Sequence, residues 1–292
     1  MKKKIFDSLK LMRIHQWVKN ILVFAPLFFS GKLGDFHLLF ISCQSFFSFS
    51  FIASAIYILN DYKDIALDRS HPKKKLRPLA SGALSKKYGL GLMLFLVGFS
   101  LLSSLFLKQE AFFILLSYFI INIAYCFYLK NKAVVDVVTI ASGFVLRLMM
   151  GSVVTDIRLS MWILLITFLL ALFIALAKRR DDVLIFNKTG QRMRKSIKGY
   201  NLEFIDSSMM IMATVVIVSY IQYTTSQEVL ERINNEYLYL TVFFVLIGIL
   251  RYLQITLVEK RSGSPINIAL KDKPMIMTLI LWVLSFYWIL YL

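Results

Sequence analysis

Acidic residues are scarce in this chain. Only 17 Asp and Glu stand against 34 Lys and Arg, a formal net charge of +17 over 292 residues. The places where the few acids gather therefore carry information. Histidine is scarcer still: His15, His37 and His71 share no helical ligand spacing, which argues against a zinc site. The two cysteines, Cys43 and Cys126, both fall in apolar stretches, where buried packing is their ordinary role. No GxGxxG, Walker loop or G-x-S-x-G elbow is present, so nothing points to a nucleotide-binding fold or to serine hydrolysis. No secretory signal is expected either, because the first apolar run follows Lys19 without a small-residue cleavage site or a soluble domain after it.

What the chain has in abundance is apolar surface. It is 58% hydrophobic with 25 Phe, and its mean hydropathy is +0.69, against an apolar share of roughly 45–50% in soluble domains. A polytopic membrane protein follows. Crossing a hydrocarbon core of about 30 Å takes about 20 apolar residues. Nine runs qualify: 17–33, 38–60, 88–107, 111–129, 134–153, 160–178, 207–226, 238–257 and 275–292. With the N-terminus inside, all of the 34 Lys and Arg except Lys32, Lys108, Arg147, Arg158 and Arg232 lie on one side. The positive-inside rule then predicts nine crossings and an external C-terminus. Anionic head groups of the inner leaflet suffice to explain the basic excess, and no nucleic-acid site is read from it.

The two longest inside segments, 61–87 and 178–206, carry most of the charge and follow the second and sixth runs. This spacing suggests one transmembrane domain over 1–292, built as two four-helix halves plus a ninth helix, with both charged loops facing one cavity. In the first loop Asp61, Asp64 and Asp68 stand at i, i+3 and i+7, which on a continuing helix puts three carboxylates on one face. Such a face repels itself unless a cation lies within it. Oxygen ligands of this kind suit Mg²⁺, completed by waters and substrate phosphates, and Asn60 can add a carbonyl oxygen or a hydrogen bond to phosphate. The alternative is a solvated juxtamembrane helix. In the second loop Asp181 and Asp182 follow Lys178, Arg179 and Arg180, the same chemistry again or else an ion-paired loop.

Among the bases, the run Lys73, Lys74 and Lys75 reads as a topological signal. Arg77 is the better phosphate ligand, since Pro78 stiffens the turn after it and a guanidinium can bind phosphate through two parallel bonds. Arg147 lies inside a crossing, where an ionisable group is costly and marks a functional position. Its expected partners are Asp136, about three turns earlier on the same helix, or a bound phosphate, with a purely structural pair as the alternative. Tyr57, Asn122 and Tyr125 serve equally well as interhelical glue or as ligands.

Together these features resemble the UbiA superfamily of intramembrane prenyltransferases. NDxxDxxxD at the inner end of the second run is shared across that superfamily. RIHQWVKNILVFAPL (13–27), AYCFYLKNKAVVDVVTIASGFVLR (124–147), ALAKRRDD (175–182), RKSIKGYN (194–201) and RYLQITLVEKRSG with LKDKP (251–274) resemble its polyprenyl-phosphate phosphoribosyltransferase branch. The chain departs from aromatic prenyltransferases in lacking a spaced second DxxxD motif. The resemblance implies an all-α bundle of nine transmembrane helices and an enzyme of a bacterial inner membrane. It also implies Mg²⁺, phosphoribosyl pyrophosphate (PRPP) as donor and a membrane polyprenyl phosphate as acceptor. Among membrane lipids the enzyme would make a lipid-linked pentose donor for cell-surface glycans, as a monomer or an oligomer. On this reading Asp61, Asp64 and Asp182 are catalytic, and with Asp68 and Asp181 they bind metal. Lys19, Asn60, Arg77, Tyr125, Lys130, Arg147, Lys178 and Arg179 meet the substrates. The rival enzyme moves a prenyl group from an allylic diphosphate to an aromatic or other small acceptor. A carrier of anionic lipids is the non-enzymatic alternative, and it gives no reason for the NDxxDxxxD face.

Overall fold

The computed structural model describes residues 2–70, 74–190, 194–233, 235–260, 268 and 271–291. His71, Lys73 and the end of the RYLQITLVEKRSG segment lie outside the described residues. Every regular element among those described is helical. The order is α1 (Lys2–Met12), a 3₁₀ helix (Ile14–Phe24), α2 (Ala25–Phe29), α3 (Phe36–Lys63), α4 (Ile65–Ser70), α5 (Lys86–Leu105), α6 (Gln109–Phe127) and α7 (Val135–Thr155). There follow α8 (Met161–Thr189), α9 (Leu202–Thr225), α10 (Gln227–Ile233), α11 (Val242–Leu253) running into a π turn (Gln254–Val258), and α12 (Lys273–Tyr291).

Local chemistry sets the helix ends. Asp35 accepts from the His37 and Leu38 amides at the start of α3. Ser85, Ser160 and Asn201 do the same for α5, α8 and α9. Gly190 closes α8 at φ +67°, a left-handed cap that glycine adopts without a steric penalty.

Eight segments among the described residues are long and apolar enough to cross a membrane: Phe36–Lys63, Lys86–Leu105, Gln109–Phe127, Val135–Thr155, Met161–Thr189, Leu202–Thr225, Glu236–Val258 and Lys273–Tyr291. They coincide with eight of the nine runs read from sequence. The first run, 17–33, is different. It folds as the 3₁₀ helix and the five-residue α2. At about 2.0 Å rise per 3₁₀ residue and about 1.5 Å per α residue, Ile14–Phe29 laid end to end still reaches roughly 30 Å.

The chain divides into two compact units, one of Met1–Phe28, Lys32–Phe127 and Leu146–Arg158, the other of Phe29–Gly31, Tyr128–Val145 and Leu159–Leu292. In the first unit α3 packs along α5, the 3₁₀ helix and α6. Its buried stripe is rich in serine: Ser48 Oγ meets Ser103 Oγ at 2.8 Å, and Ser100 Oγ donates to the Ser48 carbonyl at 2.6 Å. Small hydroxyls let helices approach closely and hold them where no water is at hand. Gly151 serves the same end, since a Cβ there would lie 2.0 Å from the Val23 carbonyl oxygen. In the second unit α8 packs along α9, and Leu169, Phe173, Leu176, Met209 and Tyr252 form the middle of its core.

Candidate active site

In the first unit the acids lie at a break in the helix. α3 stops at Lys63, Asp64 caps it at φ −94° and ψ 11°, and α4 resumes at Ile65. The Asp64 amide donates to the Asn60 carbonyl at 3.0 Å, and the Asp68 amide to the Asp64 carbonyl at 2.8 Å. Turning therefore continues almost without interruption. Asp61 and Asp68 end up 2% and 3% exposed. One nitrogen, Arg77 Nη1, donates to both, at 3.0 Å to Asp61 Oδ1 and 2.7 Å to Asp68 Oδ2. Arg13 closes on the same Asp61 oxygen from the residue after α1.

Two of the three expected carboxylates thus converge on a shared cation, while Asp64 occupies the cap. No three His, Cys, Asp or Glu side chains among the described residues form a metal-holding group. The donor set still fits Mg²⁺, which is commonly held by one or two carboxylates plus substrate phosphate. The guanidinium between Asp61 and Asp68 is the stand-in that shows a cation is accommodated there.

Arg147 is 5% exposed, but its expected helix partner is engaged elsewhere. Its Nε donates to Asn20 Oδ1 at 2.7 Å and its Nη2 to the Tyr118 hydroxyl at 3.1 Å. The guanidinium also lies over the rings of Phe49 and Tyr118, at 4.8 and 5.0 Å. Asn20 in turn donates to Ser50. Lys19, half-buried beside Asn20, lies within Coulombic reach of Arg147 and Arg13. Three cations of this unit therefore share one region.

The second unit holds the other charged group. Asp136 is fully buried at the start of α7 and accepts from Arg179 Nε at 2.7 Å, Ser196 Oγ at 3.1 Å and the Tyr200 hydroxyl at 2.6 Å. This replaces the Asp136–Arg147 pair expected along α7. Burial first, and then the bond to Asp136, hold the Tyr200 phenol well above its ordinary pKa, so it stays a donor. Arg179, 1% exposed, directs Nη1 to Asp182 at 3.0 Å, and Arg194 Nε reaches Asp182 at 3.5 Å. Arg180 forms a two-bond pair with Asp206 and donates to the Thr256 carbonyl. Lys178 is exposed, and Asp181 and Lys130 are half-buried. An apolar groove of about 530 Å³ lies farther along α8, lined by Val145, Met161, Trp162, Leu164, Leu165 and Phe168.

The model of the UbiA prenyltransferase family matches residues 21–270. The chain belongs to the UbiA prenyltransferase family. It is similar to the decaprenyl-phosphate phosphoribosyltransferase of Mycolicibacterium smegmatis, 31% identical over 97% of this chain and 92% of the relative. The enzyme of that name from Corynebacterium glutamicum is 33% identical over 96% of this chain and 86% of its own length. Among solved structures, the UbiA homolog from Archaeoglobus fulgidus bound to GPP and Mg²⁺ superposes with a TM-score of 0.73, covering 98% of this chain and all of that one at 18% identity. This likeness establishes the helical UbiA fold. The chain is an integral membrane transferase of that family.

Several residues of these two charged groups carry no local sign of their roles. Arg13 and Asn20 sit inside the RIHQWVKN segment, and Ser196 and Tyr200 inside RKSIKGYN, yet only spatial pairing reveals what they hold. Tyr118 is an aromatic in an apolar helix with no local sign that it receives Arg147.

Proposed function

We propose that this UbiA enzyme transfers 5-phosphoribose from PRPP to a membrane polyprenyl phosphate and releases pyrophosphate. The observation that carries the reading is the pair of buried carboxylates, Asp61 and Asp68, sharing one cation at the mouth of α3. The names of the relatives from M. smegmatis and C. glutamicum support the phosphoribosyl donor and the polyprenyl acceptor. Asp61, Asp64 and Asp68 would hold Mg²⁺ in the first unit, and Asp182 and Asp181 are candidate metal ligands of the second. Bound there, the ion would offset the charge of the leaving pyrophosphate.

The chain's own residues do the rest. An oxygen of the acceptor phosphate attacks C1 of the ribose as the bond from C1 to pyrophosphate breaks, and the bonding electrons leave with pyrophosphate. That oxygen is already anionic at neutral pH, so no general base is needed, in keeping with three histidines in no constellation. Arg77, Lys19 and Lys178 bind phosphate oxygens, and Asn60, Tyr125 and Lys130 orient the substrates. Arg147 is a fixed positive charge, held by Asn20 and Tyr118, that favours anionic groups nearby. Arg179, first read as a phosphate ligand, is committed to Asp136 and Asp182, and its role in the proposal is to orient Asp182. The acceptor's prenyl tail follows the apolar side of α8 toward the groove at Met161 and Phe168.

The test is incubation of the purified protein with Mg²⁺, labelled PRPP and a polyprenyl phosphate, beside Asp61→Ala. Label in the lipid phase, dependent on metal and lost in the variant, is expected. Absence of labelled lipid, together with pyrophosphate release from an allylic diphosphate and an aromatic acceptor, would replace this reaction with prenyl transfer.

A further inference from the structure

The first helix, KKKIFDSLKLM, has two unlike faces. At about 100° per residue, Lys4, Ser8 and Leu11 lie on one side and Ile5, Phe6 and Leu9 on the other. The first side is docked on the protein. Leu11 is fully buried with Ala55, Ile58, Leu79 and Leu84. Ser8 Oγ meets the Tyr88 hydroxyl at 2.9 Å, and Lys4 Nζ lies 4.5 Å from the Tyr88 ring centre. The other side faces outward, with Ile5, Phe6 and Leu9 exposed at 53%, 66% and 44%. Exposed Lys3 and Lys10 lie along one edge of this stripe, Lys10 Nζ donating to the Leu76 carbonyl at 3.2 Å.

At 11 residues, α1 is too short to cross a membrane. An apolar stripe edged by lysines fits instead the boundary between acyl chains and anionic head groups. A second feature adjoins it. An open cleft of about 520 Å³ is lined by Lys3, Lys4, Asp7, Ser85 and Tyr88, where Ser85 caps the N-terminus of the 20-residue α5. Exposed Lys86 and Lys87 open that helix. Two lysines and the positive end of a long helix converge there against one carboxylate, Asp7, which suits a single phosphate-bearing head group.

We propose that α1 is an interfacial helix that binds anionic phospholipid of the surrounding leaflet. Ile5, Phe6 and Leu9 enter the acyl boundary, and a lipid phosphate sits in the cleft at Lys3 and Lys4. A second copy of the chain is a poorer occupant, because a two-fold pairing of this face would set lysine against lysine.

Hydrogen exchange of the α1 amides, measured on the full-length protein in nanodiscs, tests the proposal. The lipids are phosphatidylcholine alone and phosphatidylcholine mixed with phosphatidylglycerol. Exchange should slow about fivefold or more in the anionic discs, the factor to which the attraction of one lysine to such a surface converts. Lys3→Glu with Lys4→Glu should abolish the difference, and Phe6→Ser should speed exchange in both lipids. Unchanged exchange in α6 verifies that the variants fold. Equal exchange in both lipids overturns the proposal. So does slowing by inorganic phosphate in phosphatidylcholine discs, which would mark a free-phosphate site, or protection that tracks crosslinking between copies.

Discussion

Arg77 bridges two buried acids through a single nitrogen, and Arg13 is a second cation on Asp61 alone. Removing Arg77 leaves Asp68 without that partner and Asp61 with Arg13. Breaking a buried pair by deleting one member costs about 3–5 kcal/mol, because the remaining charge stays desolvated. Arg77 is about a quarter exposed at its side chain, so solvent lowers the expected loss below that range. Arg77→Ala should therefore lower the melting temperature in detergent without metal, and millimolar Mg²⁺ should restore most of it by substituting for the guanidinium. Wild type should respond less to the ion. Equal responses of the two proteins would show that Asp61 and Asp68 do not take up Mg²⁺. The readout is stability, so it is independent of catalysis.

The C-terminal part of α8 is held by charge as much as by packing. Arg179 reaches Asp136 at the start of α7, and Ser196 and Tyr200 bring the segment before α9 to the same carboxylate. Three stretches of the second unit thus meet on one acid that is fully buried. Arg179→Ala should destabilise the protein by about 3–5 kcal/mol, since both members of the pair are removed from water. The double variant Arg179→Met with Asp136→Asn should recover a large part of that loss. A thermal-melt cycle with additive single effects would mean that the ion pair contributes nothing of its own. Much of this was legible in part. AKRRDD marks a charged stretch of α8, and a buried acid in VVDVV stands out in an apolar run. The partner was not legible, because Arg147 on the same helix is an equally plausible choice until the helices are placed.

For the whole molecule, the asymmetry of Lys and Arg and the count of crossings together set which side each end occupies. Among the described residues eight segments qualify by length and composition, and the broken stretch Ile14–Phe29 decides whether there is a further crossing. With the N-terminus and the acidic loops cytoplasmic, a ninth crossing puts the C-terminus outside. A cysteine added after Leu292, in a protein with Cys43 and Cys126 replaced by serine, should react with a membrane-impermeant maleimide on intact cells. Labelling only after permeabilisation would mean that Ile14–Phe29 stays on one side and eight helices cross.

Membrane class, eight of the nine apolar runs as helical spans, and the acidic cluster at the end of α3 were determined by sequence alone, whereas α8 runs on past Asp181 and Asp182 to Thr189. Burial of an apolar run in lipid is a local property, and so is a carboxylate spacing along one helix. Even there, locality had a limit: the turn at Asp64 divides α3 from α4 and leaves Asp61 and Asp68 on the shared cation. Tertiary structure decided which cation meets which acid. Asp136 pairs with Arg179, 43 positions away, and Arg147 turns to Asn20, 127 positions away. Such choices rest on side chains from different helices arriving at one point in a medium without water, and no stretch of sequence contains that geometry.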